Sequence, residues 1–326
     1  MSDEPAIVVH ELRKTYGKVV ALNGLSFEVP AGSVTGLLGP NGSGKTTTVS
    51  ILSTALLPDS GEAAILGVNA IRDASEVRRL IGFAGQFAAV DPSLTGQENL
   101  RLIGRLSRLT RPAARQRATE LLDRFGLTDA GGRTVRTYSG GMRRRLDLAA
   151  ALMHRPPVLF LDEPTTGLDP ESRLQLWEIV RDLVRDGTTV LLTTQYLEEA
   201  DTLADQLVII SEGLVVERGT PHALRQRVGS AVVRLTFDSD ANATEAAFAL
   251  ADRYASSQEG ATLQITETAG SAEIIGIART LTGRAPDPSG VEIREPTLDD
   301  VFLTLTGKPS QKTEAAIAGS QAQGTS

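Results

Sequence analysis

The sequence contains no cysteine, few aromatic residues and no long apolar run. The absence of cysteine excludes a disulfide framework, a thiolate metal site and a cysteine nucleophile. Apolar stretches such as 158–161 are far shorter than the roughly 18 residues that span a bilayer, and the polar start, 1–5, does not resemble a secretory signal. The formal net charge of −7 argues against a protein that coats nucleic acid. These features predict a soluble, cytoplasmic chain.

Short apolar segments alternate with helical patterns along the first part of the chain. Strands are predicted at 7–12, 34–38, 80–84, 158–161, 189–193 and 207–210. Because several of these segments are apolar at every position, they fit a mostly parallel sheet that is covered on both faces. The clearest helix is predicted at 170–185. The alternation predicts an α/β fold, with a helical insertion at about 87–157 that is richest in arginine and leucine over 87–137.

The character of the sequence changes around residues 223–229, which predicts a first domain at 1–225 and a second at 231–307. In the second domain, strands are predicted at 232–237, 261–266 and 291–294, and helices at 244–254, 272–281 and 298–305. This βαβαβα order predicts a small, ferredoxin-like α+β domain. Residues 308–326 have almost nothing to bury, which predicts a disordered tail.

A glycine-rich loop follows the strand at 34–38 and precedes a helical pattern, as a P-loop does. Its backbone N–H groups can surround phosphate oxygens, and the positive end of the helix that begins near Lys45 adds to the attraction. Lys45 is expected to reach the outer phosphates of ATP, and the Thr46 hydroxyl to bind Mg²⁺. The alternative is a glycine-rich turn that binds nothing. The predicted nucleotide-binding residues of this loop are Gly39, Pro40, Asn41, Gly42, Ser43, Gly44, Lys45, Thr46 and Thr47.

Two carboxylates, Asp162 and Glu163, directly follow the apolar strand at 158–161. At the end of a buried strand, Asp162 is expected to hold Mg²⁺ through water. Glu163 would then orient or deprotonate the attacking water. The alternative is a solvated strand end.

A second glycine motif, which we call the signature motif, consists of Ser139, Gly140 and Gly141. It opens a helix, and its unpaired N–H groups can form a second anion site. The alternative is a simple serine N-cap.

The order and spacing of these three motifs resemble the ATP-binding cassette family, over about residues 7–225. The resemblance implies an ATPase in which Lys45 and Glu163 are catalytic. It also implies that two copies pair head to tail, so that the signature motif of one copy closes on ATP held by the other. Three further residues take family roles: Tyr16 stacks on adenine, Gln86 binds Mg²⁺, and Asp169 lies at the dimer seam. Their alternatives are a surface tyrosine, an exposed loop glutamine and a helix cap.

The sequence departs from the family pattern at three positions. Tyr138 and Met142 replace the usual ends of the signature motif, and Gln195 stands where the family usually has histidine. An amide can hydrogen-bond the γ-phosphate but cannot carry a proton charge. The resemblance therefore assigns Gln195 a catalytic position and makes its effect on the hydrolysis rate a question for experiment.

Segments 137–147, 191–201 and 298–307 are similar to exporter ATPases of the daunorubicin-resistance type, which share Gln195. The resemblance implies an efflux ATPase on the cytoplasmic face of the membrane, with ATP and Mg²⁺ as cofactors and no nucleic-acid partner. A separate permease would carry a hydrophobic drug or lipid-like compound, and the arginine-rich insertion would dock on it. The alternatives are a translation- or DNA-associated ATPase of the same superfamily and a small-molecule kinase.

Two further patterns leave alternatives open. On the last helix, Val301, Phe302 and Leu305 either help to pair two ATPase subunits or pack inside their own domain. The run of three arginines at 143–145 forms either a contact surface or a solvated face.

Overall fold

The computed structural model describes residues 4–85, 89–228, 231–268, 271–294 and 296–306. These residues form two compact units, an N-terminal unit that ends at Pro221 and a C-terminal unit that begins at His222. Gln86 and the predicted tail at 308–326 lie outside the described residues. Within the described part of the chain, the helices are too short or too polar to cross a bilayer.

The N-terminal unit contains both parallel and antiparallel strands. Its strands are β1 (Pro5–Tyr16), β2 (Val19–Pro30), β3 (Val34–Leu38), β4 (Ser60–Ile65), β5 (Val68–Asn69), β6 (Ile81–Ala84), β7 (Val158–Asp162), β8 (Thr189–Thr194), β9 (Gln206–Ser211) and β10 (Leu214–Gly219). Its helices are α1 (Lys45–Leu52), α2 (Ala74–Leu80), α3 (Gly96–Leu106), α4 (Arg111–Arg124), α5 (Gly140–Ala151), α6 (Pro170–Arg185) and α7 (Leu197–Leu203). Helix α8 (Pro221–Val228) begins at the junction of the two units.

A six-stranded sheet in the order β10-β9-β3-β8-β7-β6 forms the centre of this unit. Its strands are parallel except for β10, which runs antiparallel to β9. Successive residues of β7 face opposite sides: Val158 and Phe160 belong to one apolar cluster, and Leu159 and Leu161 to the other. The sheet is therefore covered on both faces, as its continuous apolar runs predict. The predicted α/β fold is confirmed.

One face of this sheet is covered by helices α4, α5 and α6, and the other packs with a second sheet in the order β2-β1-β4-β5. The apolar runs above do not predict the long strand β2. Its buried residues Leu25, Phe27 and Val29 alternate with more exposed ones, as expected for an antiparallel strand with one buried face.

The predicted insertion contains α3, α4 and α5. Thr95 and Glu98 form a capping box at the start of α3, and the Thr110 side chain caps α4. Pro112 lies in the first turn of α4, where proline favours a helix start because its missing N–H would have no partner there. Pro112 therefore marks the point where α4 begins.

The C-terminal unit is a four-stranded antiparallel sheet with helices. Its elements are β11 (Ala231–Thr236), α9 (Asp240–Leu250), β12 (Ser256–Glu259), β13 (Thr262–Thr268), α10 (Ser271–Leu281), β14 (Gly290–Arg294) and α11 (Leu298–Thr306). The sheet order is β12-β13-β11-β14, and the chain follows the βαββαβ order of ferredoxin-like domains before it ends in α11.

Two sequence predictions for this unit are wrong in detail. The predicted βαβαβα order omits β12, because its residues Ser256–Glu259 are exposed at every position and show no apolar pattern. The helix predicted at 244–254 begins earlier, at Asp240, since Ser239 caps it by accepting a hydrogen bond from the Asn242 N–H at 3.3 Å. In α11, Val301 and Phe302 are 1% and 4% exposed in the single chain, which favours core packing for these two side chains.

Candidate nucleotide-binding site

Three loops meet at the carboxyl edge of the central sheet, after strands β3, β7 and β8. The strands are in register there: Leu38 pairs with Thr194, and Asp162 with Thr193. Because parallel strands bring their carboxyl ends to one edge, the phosphate loop (residues 39–46) lies beside Asp162. The Thr46 hydroxyl donates a hydrogen bond to Asp162 Oδ1 at 3.4 Å.

The phosphate loop owes its shape to glycine at two positions. Gly44, the residue before α1, has φ +106°, a conformation that other residues rarely adopt. A Cβ on Gly39 would lie 2.4 Å from both the Ile210 carbonyl oxygen and Ser43 Oγ. The loop therefore packs closely against β9 and leads into α1, whose first N–H groups have no partner within the helix. This is the backbone arrangement that binds phosphate.

The Lys45 side chain is held inside the phosphate loop. It is 5% exposed, and its Nζ donates to the carbonyl oxygens of Gly39 and Pro40 at 2.8 and 3.1 Å. Burial lowers the pKa of Lys45, while the charges of Glu163 and Asp162 oppose that shift. The ammonium group thus lies where a bound phosphate can compete with the loop carbonyls.

Asp162 is 4% exposed and receives hydrogen bonds from two hydroxyls, those of Thr46 and Thr193. A carboxylate and a threonine hydroxyl are oxygen ligands of the kind that Mg²⁺ prefers. In the described ranges, no group of three or more histidine, aspartate or glutamate side chains is close enough to hold a metal. The two oxygens fit a Mg²⁺ ion whose remaining ligands are phosphates and water.

Glu163 has a left-handed backbone conformation, with φ +48°. Its N–H lies 3.1 Å from both the carbonyl oxygen and Oγ1 of Thr193, and its Oε2 accepts from the Thr166 hydroxyl at 3.4 Å. Such a conformation costs on the order of 1–3 kcal/mol for a residue other than glycine and is typical of functional sites. The chain turns sharply here, and the partly exposed carboxylate can reach a water molecule.

Gln195 follows β8, and its Oε1 is buried without a hydrogen-bond donor. The adjacent Thr194 fixes the turn by accepting a hydrogen bond from the Tyr196 N–H at 2.9 Å. Since phosphate oxygens accept hydrogen bonds, the Nε2 end of the amide is the end that can serve a γ-phosphate.

The signature motif opens α5 and is only partly buried. Ser139 and Gly140 are exposed, and Ser139 Oγ accepts from the Met142 N–H at 3.2 Å. Gly141 is buried against Ser172, which itself donates to both Asp169 carboxylate oxygens at 2.8 and 2.7 Å. Asp169 therefore caps the start of α6, which is the role predicted for it as the alternative to a position at the dimer seam. Among the described residues, no hydrogen bond joins the signature motif to the phosphate loop of the same chain.

The remaining predicted residues lie at the margins of the site. Tyr16 ends β1 and is 48% exposed, with Lys14 Nζ 5.9 Å from the centre of its ring. Asn41, Gly42 and Thr46 are exposed on the phosphate loop.

Sequence reasoning missed two residues of this site, Thr193 and Arg144. Thr193 contacts both predicted carboxylate residues, and Arg144 donates to the Asp162 carbonyl oxygen at 3.1 Å. A polar residue at the carboxyl end of an apolar strand was the available signal for Thr193.

Comparisons with known proteins agree with this geometry. Residues 22–166 match the model of the family described as ABC transporter. The chain is 48% identical over 323 residues to a daunorubicin resistance ATP-binding protein of Streptomyces coeruleorubidus, an alignment that covers 97% of this chain and 99% of that one. It is 44% identical over 327 residues to a doxorubicin resistance ATP-binding protein of Mycobacterium tuberculosis, which covers 98% and 99% of the two chains.

The chain belongs to the ABC transporter family. A solved dimeric ATP-binding cassette, in a post-hydrolysis state with bound ADP and phosphate, superposes with a TM-score of 0.61 at 27% identity. That superposition covers 66% of this chain and 98% of the other. The present chain is therefore an ABC-type ATPase that binds nucleotide. The family resemblance predicted from its motifs is confirmed.

Proposed function

We propose that this ABC ATPase supplies energy to an exporter of hydrophobic drugs or lipid-like compounds. The observation that carries the proposal is similarity over nearly the whole chain to proteins named for daunorubicin and doxorubicin resistance. The similarity extends beyond the nucleotide-binding unit, which a shared ATPase chemistry alone would not require. A translation- or DNA-associated role has no comparable support.

In this proposal, different residues of the chain perform different steps of ATP hydrolysis. Lys45 neutralises charge on the outer phosphates. Glu163 orients the attacking water and accepts its proton, and Gln195 donates a hydrogen bond to the γ-phosphate. Thr46 and Asp162, with Gln86, would hold Mg²⁺, which screens phosphate charge when it is bound.

The proposed assembly contains two copies of this chain and separate permease chains on the cytoplasmic side of a membrane. Ser139 and Gly140 are exposed on the described part of the single chain, which supports their use in an intermolecular contact. Asp169 accepts a hydrogen bond from Ser172, which lies against Gly141, so Asp169 would lie at the same contact between the two copies. Tyr16 would stack on adenine. Residues 1–225 would form the nucleotide-binding domain, and residues 231–307 a dimerisation or regulatory domain.

Replacing Glu163 with glutamine tests the catalytic assignment. The variant keeps the side-chain shape but loses the base, so ATP binding should persist while kcat falls by about 10²–10⁴-fold. Bound ATP should then hold the chain as a dimer in sedimentation experiments. Glu171→Gln, in the exposed first turn of α6, is the matched control and should behave as the parent. An unchanged kcat in Glu163→Gln would contradict the assignment.

The transport role is tested by purifying the chain from detergent-solubilised membranes of its host. A stoichiometric, multi-spanning protein should co-purify, and cells that lack the chain should accumulate more daunorubicin. Recovery with ribosomes or DNA-bound proteins instead would leave the ATPase in place and refute export.

A further inference from the structure

Arg144, in the arginine run of α5, is largely buried and binds three backbone carbonyl groups. Its Nε donates to the Pro164 carbonyl oxygen at 2.8 Å and its Nη2 to the Asp162 carbonyl oxygen at 3.1 Å. Its Nη1 donates to the Gly85 carbonyl oxygen. The side chain is 12% exposed. One guanidinium thus joins α5 to Gly85, which follows β6, and to the carboxyl end of β7.

Asp147 is the charged partner of Arg144, one helical turn further along α5. It is 2% exposed, and its Oδ2 lies 3.5 Å from Arg144 Nη1. Its Oδ1 accepts a hydrogen bond from the Ala89 N–H at 2.6 Å. The pair therefore holds the chain at Gly85 and at Ala89, as well as at the end of β7.

Burying such a pair is costly. Moving two charges out of water costs several kcal/mol per ion, and replacing a buried pair with apolar residues is often neutral or stabilising. A contribution to folding stability is thus a weak explanation for the buried Arg144–Asp147 pair. Its contacts instead converge on the two carbonyl groups that flank Glu163, those of Asp162 and Pro164.

We infer that Arg144, held by Asp147, is a positioning residue that couples the two nucleotide sites of the dimer. The inference rests on the proposed head-to-tail dimer, in which the signature motif at the start of α5 contacts the partner's nucleotide. The same helix carries Arg144, which holds the backbone on both sides of Glu163 in its own site. A shift of α5 when the dimer closes would therefore move the general base of the other site.

The geometry requires arginine. Its planar guanidinium presents donors in several fixed directions, whereas a lysine ammonium is a compact charge that cannot reach three carbonyl groups spread around it. Arg144→Lys thus keeps the charge and removes the bridge. Arg145→Lys is the matched control, since Arg145 is the next residue of the helix and its guanidinium binds the Phe125 carbonyl oxygen, outside the site.

The test measures ATP affinity, kcat and the Hill coefficient for ATP hydrolysis, using the full chain. Arg144→Lys should lower kcat by about 10–100-fold, the loss typical for a residue that orients a metal-ligating side chain such as that of Asp162. ATP affinity should be unchanged. Its Hill coefficient should fall to 1, whereas Arg145→Lys should keep the parent's values. A merely structural role would instead lower ATP affinity and thermal midpoint together.

Several outcomes would overturn the inference. A parent-like kcat in Arg144→Lys would refute positioning, and a Hill coefficient of 1 in the parent would refute coupling. If Arg144→Lys does not fold, Asp147→Asn decides: it keeps an acceptor for Ala89 but removes the charge pair, so it should also lower kcat at unchanged ATP affinity. Failure of the proposed dimer is seen separately, because Glu163→Gln would then remain a monomer with ATP.

Discussion

Replacing Thr193 with valine removes one buried hydroxyl while it keeps the shape of the side chain. That hydroxyl donates to Asp162 Oδ1 and lies 3.1 Å from the Glu163 N–H. The Glu163 N–H keeps a second acceptor, the Thr193 carbonyl oxygen, also at 3.1 Å. The main loss therefore falls on the Asp162 carboxylate, which is 4% exposed.

The size of the loss follows from this burial. Leaving a buried polar group without its partner costs about 1–3 kcal/mol, more than the net value of an ordinary hydrogen bond. Thr46 still donates to the same oxygen at 3.4 Å, a long contact that replaces little. We expect Thr193→Val to lower the free energy of unfolding of the N-terminal unit by about 1–3 kcal/mol, and to lower kcat because Asp162 is less well oriented.

A second buried threonine provides the control. Thr35 lies on the adjacent strand β3 and is 0% exposed, and its Oγ1 has no hydrogen-bond partner in the described part of the chain. Thr35→Val removes a hydroxyl that already lacks a partner, so the free energy of unfolding should stay the same or rise by about 1 kcal/mol. The same substitution should thus have different effects on two neighbouring strands.

Trp177 makes the comparison measurable. It is the single tryptophan of the chain and is 3% exposed in the N-terminal unit, so its fluorescence during guanidinium unfolding reports on that unit. Equal unfolding free energies for Thr193→Val and Thr35→Val would refute the reasoning, as would a parent-like kcat in Thr193→Val.

Four further substitutions test three separate features. Burial raises the pKa of Glu199 above its ordinary value of 4.5, so its contribution to stability is full below that value and is lost as pH rises through the folded-state pKa. The free energy of unfolding of the parent should therefore fall relative to Glu199→Gln as the pH rises above 4.5; a constant difference would contradict this. Gln195→His should raise kcat, because imidazole can carry a proton charge; a lower kcat would show that the site requires the amide. Gly140→Ala should stabilise the single chain by about 0.4–1 kcal/mol, because its Cβ meets nothing, whereas Gly141→Ala should destabilise it by about 1–3 kcal/mol, since its Cβ would lie 2.4 Å from Ser172 Oγ.

The parts of the site that are contiguous in sequence could be predicted from it. The phosphate loop is one run of residues between a strand and a helix, so its glycines, Lys45 and Thr46 identify it without any tertiary information. Strand β7 could be predicted in the same way, because its apolar run ends at Asp162. The hydrogen bond between Thr193 and Asp162 could not, since it depends on which strands are neighbours in the sheet, and register does not appear in a linear pattern.

Gln195 shows a different limit. The resemblance identified its position, and the sequence shows that an amide replaces histidine there. The buried, unpartnered Oε1 depends on the turn that Thr194 makes with Tyr196, which only the folded chain defines.

The arginine run shows why composition misleads. Successive residues of a helix point about 100° apart, so Arg143, Arg144 and Arg145 have three different environments: Arg143 is exposed, Arg144 binds the end of β7, and Arg145 binds the Phe125 carbonyl oxygen. A solvated face therefore describes only Arg143. A usable signal was present, because Arg144 precedes the buried Leu148 by four residues and Asp147 by three, spacings that share one helical face. An arginine and an aspartate at that spacing on an apolar face indicate a buried pair. The sequence could not reveal that this pair holds the backbone around Glu163, because those contacts join segments about twenty residues or more apart.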